Sequence, residues 1–265
     1  MGRAHVEHVH APQLEAEPLA WDGWPEGASV KVLSSDLGTG ALTALVMLPA
    51  GYRRPAALAP AKTEVLVVSG TLRVGDATFG RCSYLYAPAG SVHAAWESVT
   101  DTELLVMART GPAHLKPTGQ PPASAGTILL DGGPLPWGPT PVPNGPPATE
   151  VAILRRDEET GEMSVLVRKL GESVFPVFEF HECVEECFML EGWLAIDNQA
   201  TEGGDMHPGT YFWRPPFVTH GQSRSRAALF YIYTDVALVN RFTDGFHRTP
   251  QENRRQYERE LAAAG

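Results

Sequence analysis

The sequence predicts an all-β chain: two antiparallel sandwiches or barrels in tandem, followed by one short C-terminal α-helix. Three observations predict it. Short apolar runs recur along the chain, separated by glycine and proline, which number 26 and 23; that pattern favours strands and turns over long helices. The two halves of the chain repeat each other at the level of motifs. Near the end, Thr249 is a good N-cap, Pro250 suits the first helical position, Glu252 completes a capping box, and no breaker follows from Gln251 to Ala264.

Taken in order, residues 1–29 form a polar N-terminal arm. Its alternation of Val6, His8 and His10 suits a short edge strand. Three nearby histidines could bind metal, but at a terminus an edge strand or disordered lead-in is the expectation. Such an arm could cross to a partner subunit, and a homodimer is expected. Residues 30–110 carry strand-like runs at 41–47, 65–68, 84–86 and 104–107. Residues 111–148 are rich in proline and glycine, as in Pro121-Pro122 and Gly132-Gly133-Pro134, and read as a surface linker with one strand candidate, Ile128-Leu129-Leu130. Residues 149–236 return to the strand pattern, and 237–265 form a tail and the helix.

The repeat is specific. Asp36, Thr39, Gly40, Leu45 and Val46 match Asp157, Thr160, Gly161, Leu166 and Val167 at an offset of 121. Thr63-Glu64 through Gly70 matches Glu185-Glu186 through Gly192 at 122, and Ala87-Pro88 through His93 matches Arg214-Pro215 through His220 at 127. Offsets that grow along the chain indicate loop insertions in a duplicated domain.

Composition bounds the function. A net charge of -10 without a basic stripe excludes nucleic acid as the expected partner. Three cysteines, Cys82, Cys183 and Cys187, do not read as a disulfide framework. No apolar run has the length of a membrane span, and no signal-type segment is seen, so a cytoplasmic protein is expected.

The motifs resemble those of the cupin superfamily. In the second half, Glu179-x-His181 stands where that family has His-x-His, followed by Glu185, Gly192, Gly209, Pro215 and His220 at the family spacing, with Phe217 in place of an inner glycine. The resemblance implies two double-stranded β-helix (jelly-roll) barrels, a bicupin. It implies one divalent metal in the second barrel, held by His181, Glu185 and His220, with Glu179 as a fourth ligand or as an acid/base beside it. In the first half the same frame reads Gly51, Ala57-x-Ala59, Thr63 and Gly70, with His93 alone retained; the resemblance implies a degenerate, structural barrel there. The doubled acid Glu185-Glu186 resembles both zinc-binding anti-sigma cupins and small iron dioxygenases.

Strand alternation supports the site independently. Glu179 and His181 share a face if extended, and Glu185, Cys187 and Met189 share a face of the next strand. Four acids between 179 and 186 repel one another unless a cation or protonation relieves them. Cys183 and Cys187 near His181 allow a softer zinc site, below the first reading. Trp213, Phe217 and Tyr231, with Cys187 and Met189, are candidates to line a substrate pocket, and His93 is expected to hydrogen-bond inside its barrel.

Two imidazoles and a carboxylate leave positions open on an octahedral ion, which suits iron(II), with zinc, manganese or nickel fitting the same ligands. The expected function is a non-haem iron(II) dioxygenase that binds a small enolisable or hydroxylated ring compound and O2 and cleaves a C–C bond or opens the ring. A metal-dependent isomerase or lyase using Glu179 as base, a metal- or ligand-sensing module, and a metal-free scaffold are the competing readings.

Overall fold

The computed structural model describes residues 2–119, 126–142, 145–198, 204–245 and 247–264. Pro121-Pro122 lies outside the described residues. The chain divides into two compact units, residues 1–4 with 13–135, and residues 5–12 with 136–265. The boundary falls inside the Pro/Gly-rich segment, whose flanks are used as strands: Lys116–Pro117 and Ile128–Leu130 in the first unit, Gly138–Pro139 in the second. No helix among the described residues is long and apolar enough to cross a membrane.

Each unit is built on the same run of antiparallel strands. In the first unit the order is Ile128–Leu130, Tyr84–Ala87, Thr63–Ser69, Thr102–Ala108, Leu42–Leu48, Ser29–Ser35 and Glu17–Pro18. In the second it is Val6–His10, Thr210–Arg214, Glu185–Asn198, His220–Thr234, Met163–Lys169, Thr149–Arg156 and Gly138–Pro139. The sequence repeat is thus a repeat of strand order. Inward residues of these strands make one apolar core per unit, around Val46, Val65, Leu104 and Val106 in the first and Val165, Met189, Phe212 and Phe230 in the second. The motif glycines that end the first repeat block are steric necessities. Gly70 and Gly192 have φ of 82° and 77°, and a Cβ on either would strike the carbonyl of Asp101 or Ala227.

The N-terminal arm has a definite place. Val6–His10 pairs antiparallel with Thr210–Arg214, at the sheet edge that Ile128–Leu130 covers in the first unit. Covering that edge removes a row of unpaired backbone groups. The strand also delivers Glu7, whose buried carboxylate accepts from Arg214 Nε at 2.7 Å and Nη2 at 3.2 Å. Burial by itself raises the Glu7 pKa, but Arg214 and His5 outweigh it and hold the group down at about 2, against an ordinary 4.5. A carboxylate with a lowered folded pKa stabilises the fold fully above its unfolded value, and that contribution is lost as pH falls from about 4.5 towards 2. Glu7→Gln is therefore expected to cost about 3 kcal/mol at pH 7, because it leaves a buried guanidinium short of a partner. Urea unfolding at pH 7 and across the acid range checks this: the gap to wild type should close as the pH approaches 2.

Candidate metal centre

Three segments of the second unit converge on one spot. Strand Ser173–Phe180 carries Glu179 and leads directly to His181, strand Glu185–Asn198 opens with Glu185, and strand His220–Thr234 opens with His220. Register pairs Glu179 with His220. The loop before His220 is pinned from two sides. Phe217 N–H donates to the His181 carbonyl at 2.7 Å. Asn253 of the C-terminal helix Pro250–Ala264, fully buried, donates to the Phe217 carbonyl at 2.8 Å and to Thr219 Oγ1 at 2.7 Å. Phe217 has φ of 70°, matching Gly90 at 79° in the first unit, so the turn keeps its left-handed residue even where glycine has been replaced. The Phe217 ring packs on Phe180 and Tyr257.

Glu179, His181 and His220 offer ligand atoms that all lie within 4.8 Å of one another. His181 Nε2 and His220 Nε2 are 3.2 Å apart, and His220 Nε2 is 3.8 Å from a Glu179 oxygen. The other ring nitrogens fix the tautomers. His181 Nδ1 faces the Val239 carbonyl at 3.1 Å and His220 Nδ1 faces the Val218 carbonyl at 3.2 Å. A carbonyl only accepts, so each Nδ1 carries the proton and each Nε2 presents a lone pair. Burial, with Arg214 and His181 adding to it, pushes the His220 pKa well below its usual value and keeps that ring neutral. Two lone pairs and a carboxylate therefore face each other at close range. Such donors repel unless a cation sits among them, and imidazoles held through Nδ1 by backbone carbonyls are the usual arrangement of metal-ligating histidines. The donor set fits a divalent metal.

The four clustered acids do not share one relief. Glu182 pairs with Arg241 at 3.1 Å, Glu186 accepts from Tyr211 Oη at 2.7 Å, and Glu185 accepts from Arg214 Nη1 at 3.0 Å. Glu179 Oε2 is buried with no hydrogen-bond partner among the described residues. Burial pushes the Glu179 pKa up to about 7, with His181 opposing and the Glu185 carboxylate adding. Glu185 stands 3.5 Å from His220 Nε2, beside the cluster and turned to Arg214. The structure thus brings Glu179, His181 and His220 together, with Glu185 beside them, closer to His220 Nε2 than Glu179 is but bonded to Arg214.

The cluster opens onto a cavity of about 930 Å³, its mouth included, walled by Val151, Val165, Val167, Phe212, Phe230 and Ile232. Of the expected pocket residues only Cys187 lines it. Met189 is fully buried in the core. Trp213 and Tyr231 alternate with Phe212, Phe230 and Ile232, which face in, so their own side chains take the opposite face. Phe217 belongs to the helix-packed turn instead. The three cysteines form no disulfide, are buried and lie outside the donor cluster. One lining residue escaped the sequence reading: Lys169, 6% exposed, whose pKa burial lowers to about 8 against the pull of Glu179.

The first unit holds the same frame without the donors. Ala57 and Ala59 are packed with Leu115 and Trp24. The Thr63 hydroxyl donates to the Ala61 carbonyl at 3.0 Å. His93 lines a cavity of about 570 Å³, its mouth included, and its Nε2 has no hydrogen-bond partner among the described residues. It stacks on Trp96, and burial, with Arg54 adding, lowers its pKa to about 3.

The profile of a family described as a domain of unknown function, DUF4437, matches residues 7–241. The chain belongs to the DUF4437 family. No curated protein sequence matches it. Among solved structures, a Nostoc punctiforme protein described as a "putative dioxygenase" superposes on this DUF4437 chain with a TM-score of 0.81 at 20% identity, covering 92% of each chain. The E. coli protein Ylba gives 0.58 at 15% identity over 88% and 90%, and Lactobacillus farciminis oxalate decarboxylase, in a formate complex, gives 0.59 at 9% over 96% and 97%. At these identities the likeness is one of fold, and that fold is the cupin one.

The geometry ranks the donors. Glu179→Gln or His220→Ala is expected to lower zinc affinity more than 100-fold, and Glu185→Gln only about tenfold, since it acts from outside the cluster. His93→Ala should leave zinc stoichiometry unchanged. Competition titration against a chromophoric chelator checks the series, and a larger loss in Glu185→Gln than in Glu179→Gln would reverse the assignment.

Proposed function

We propose that the second barrel is the catalytic unit of a metal-dependent oxygenase, with iron(II) as the working metal and a small enolisable or hydroxylated ring compound as substrate. The observation that carries this reading is the convergence of two imidazole lone pairs and one orphaned carboxylate at an apolar cavity. His181, His220 and Glu179 would hold the ion. A two-histidine, one-carboxylate set leaves positions for a substrate oxygen and for O2, and the ion supplies Lewis acidity and redox chemistry there. The chain does the rest. Val239 and Val218 carbonyls orient the rings, the Arg214 pair keeps Glu185 from competing for the same place, and the apolar walls exclude water from the bound substrate.

The reaction class proposed is oxidative C–C cleavage or ring opening, to which the printed description of the Nostoc punctiforme protein lends support. A metal-dependent isomerase or lyase is the second reading, favoured by a Glu179 carboxyl whose pKa of about 7 suits a general base. Elemental analysis of anaerobically purified protein beside His181→Ala decides the first point: about one iron per chain, absent from the variant, is expected. Oxygen uptake with diketones, catechols and hydroxylated heterocycles then separates the two readings. Product formation without oxygen consumption would move the assignment to the isomerase or lyase, and absence of any metal after reconstitution would overturn both.

A further inference from the structure

Strand Met163–Lys169 turns alternate side chains into the barrel, and Met163, Val165, Val167 and Lys169 all line the cavity that holds the donor cluster. The repeat supplies an internal reference. At the offset of 121 these residues stand opposite Leu42, Ala44, Val46 and Leu48 of the first unit. Three positions are apolar in both copies. The fourth is Leu48, 1% exposed, in one copy and a buried lysine in the other. An ammonium in an apolar wall is unfavourable unless it is paired. Lys169 Nζ donates to Thr149 Oγ1 at 2.7 Å, and the Thr149 hydroxyl in turn donates to the Pro147 carbonyl at 3.0 Å. Among the described residues no carboxylate lies in ion-pair range of Lys169, so donors of the ammonium remain for something in the cavity.

We propose that the cavity takes a small organic acid whose carboxylate is held by Lys169, with its apolar body against Val165, Val167, Phe230 and Ile232 and a second oxygen toward the cluster. The second contact rests on the metal reading above, whereas the carboxylate contact stands without it.

Calorimetric titration of the full chain at pH 7 with benzoate, and with benzamide as the uncharged control, tests this in wild type, Lys169→Met and Lys169→Arg. Each is run with and without cobalt(II), whose visible absorption reports loading. Wild type should bind benzoate about ten- to hundredfold more tightly than benzamide, the worth of a charged hydrogen bond. Lys169→Arg should keep most of that preference, and Lys169→Met should lose it. Because the repeat already carries leucine there, Lys169→Met should fold, with a melting temperature at or above that of wild type. A wild type without preference, or a Lys169→Met protein that keeps it, would overturn the proposal. So would a Lys169→Met protein changed only in cobalt affinity, since that would make Lys169 a counter-charge to Glu179. A benzoate preference in protein that takes up no cobalt would uphold the Lys169 contact while removing the metal reading.

Discussion

A single buried guanidinium organises the second barrel. Arg214 is 1% exposed and could not stay charged there unaided. It takes two carboxylates, Glu7 from the far N-terminus and Glu185 from the strand beside it, and they raise its pKa against the effect of burial. The consequences spread outward. The arm must return to the second unit to bring Glu7, which fixes Val6–His10 at the sheet edge. Glu185, bonded to Arg214, stands beside the cluster, while Glu179 Oε2 has no hydrogen-bond partner among the described residues. An interaction that looks like fold stability thus also fixes a side chain at the site.

The duplicated barrels separate what the fold needs from what the site needs. Glu64 and Glu186 occupy equivalent places, and each accepts from an equivalent tyrosine, Tyr84 at 2.8 Å and Tyr211 at 2.7 Å. Asp36 and Asp157 hold equivalent turns, each accepting from the glycine four residues on at 2.8 Å. These polar contacts persist where no donor cluster exists, so they serve the barrel. Of the doubled acid, the second glutamate is therefore structural. Ala57, Ala59, Thr63, Leu48 and Ala87 stand against Glu179, His181, Glu185, Lys169 and Arg214, and there one copy is small or apolar and the other charged or metal-binding in character. In the second unit these five lie in or against the donor cluster and its cavity.

Much of this was legible in the sequence. The repeat marked two copies of one domain, the caps marked the helix, and the motif frame singled out His181, Glu185, His220 and Glu179, which lie close together in the second unit. What failed has a physical cause. The faces of Trp213 and Tyr231 were misjudged because aromatic residues on a strand carry no mark of which side is inside, and alternation fixes phase only once one residue is anchored. The four acids were read as one repulsive cluster because their partners, Arg241, Tyr211 and Arg214, lie 25 or more residues away in the chain. Glu7 and Arg214 are separated by 207 residues, which no local pattern could connect. Lys169 was overlooked because a lysine ending a strand reads as a solvated terminus. The signal was present nonetheless: aligned with its repeat, it falls on Leu48.

That substitution also bears on how such a site can be kept in so small a barrel. A buried lysine, an unpartnered carboxylate and two opposed imidazoles each weaken an apolar core, and the first barrel shows that the fold does not require them. The second barrel compensates at its rim, where the Glu7–Arg214–Glu185 chain, the Arg241 pairs with Glu182 and Glu260, and Asn253 at the helix start clamp the loops that carry the donors. Glu7, Arg214, Glu182 and Arg241 lie outside the cavity lining, and Glu185 joins them to it. Rigidity around the site, and not within it, is what allows donors that repel one another to be held at the distances a cation needs.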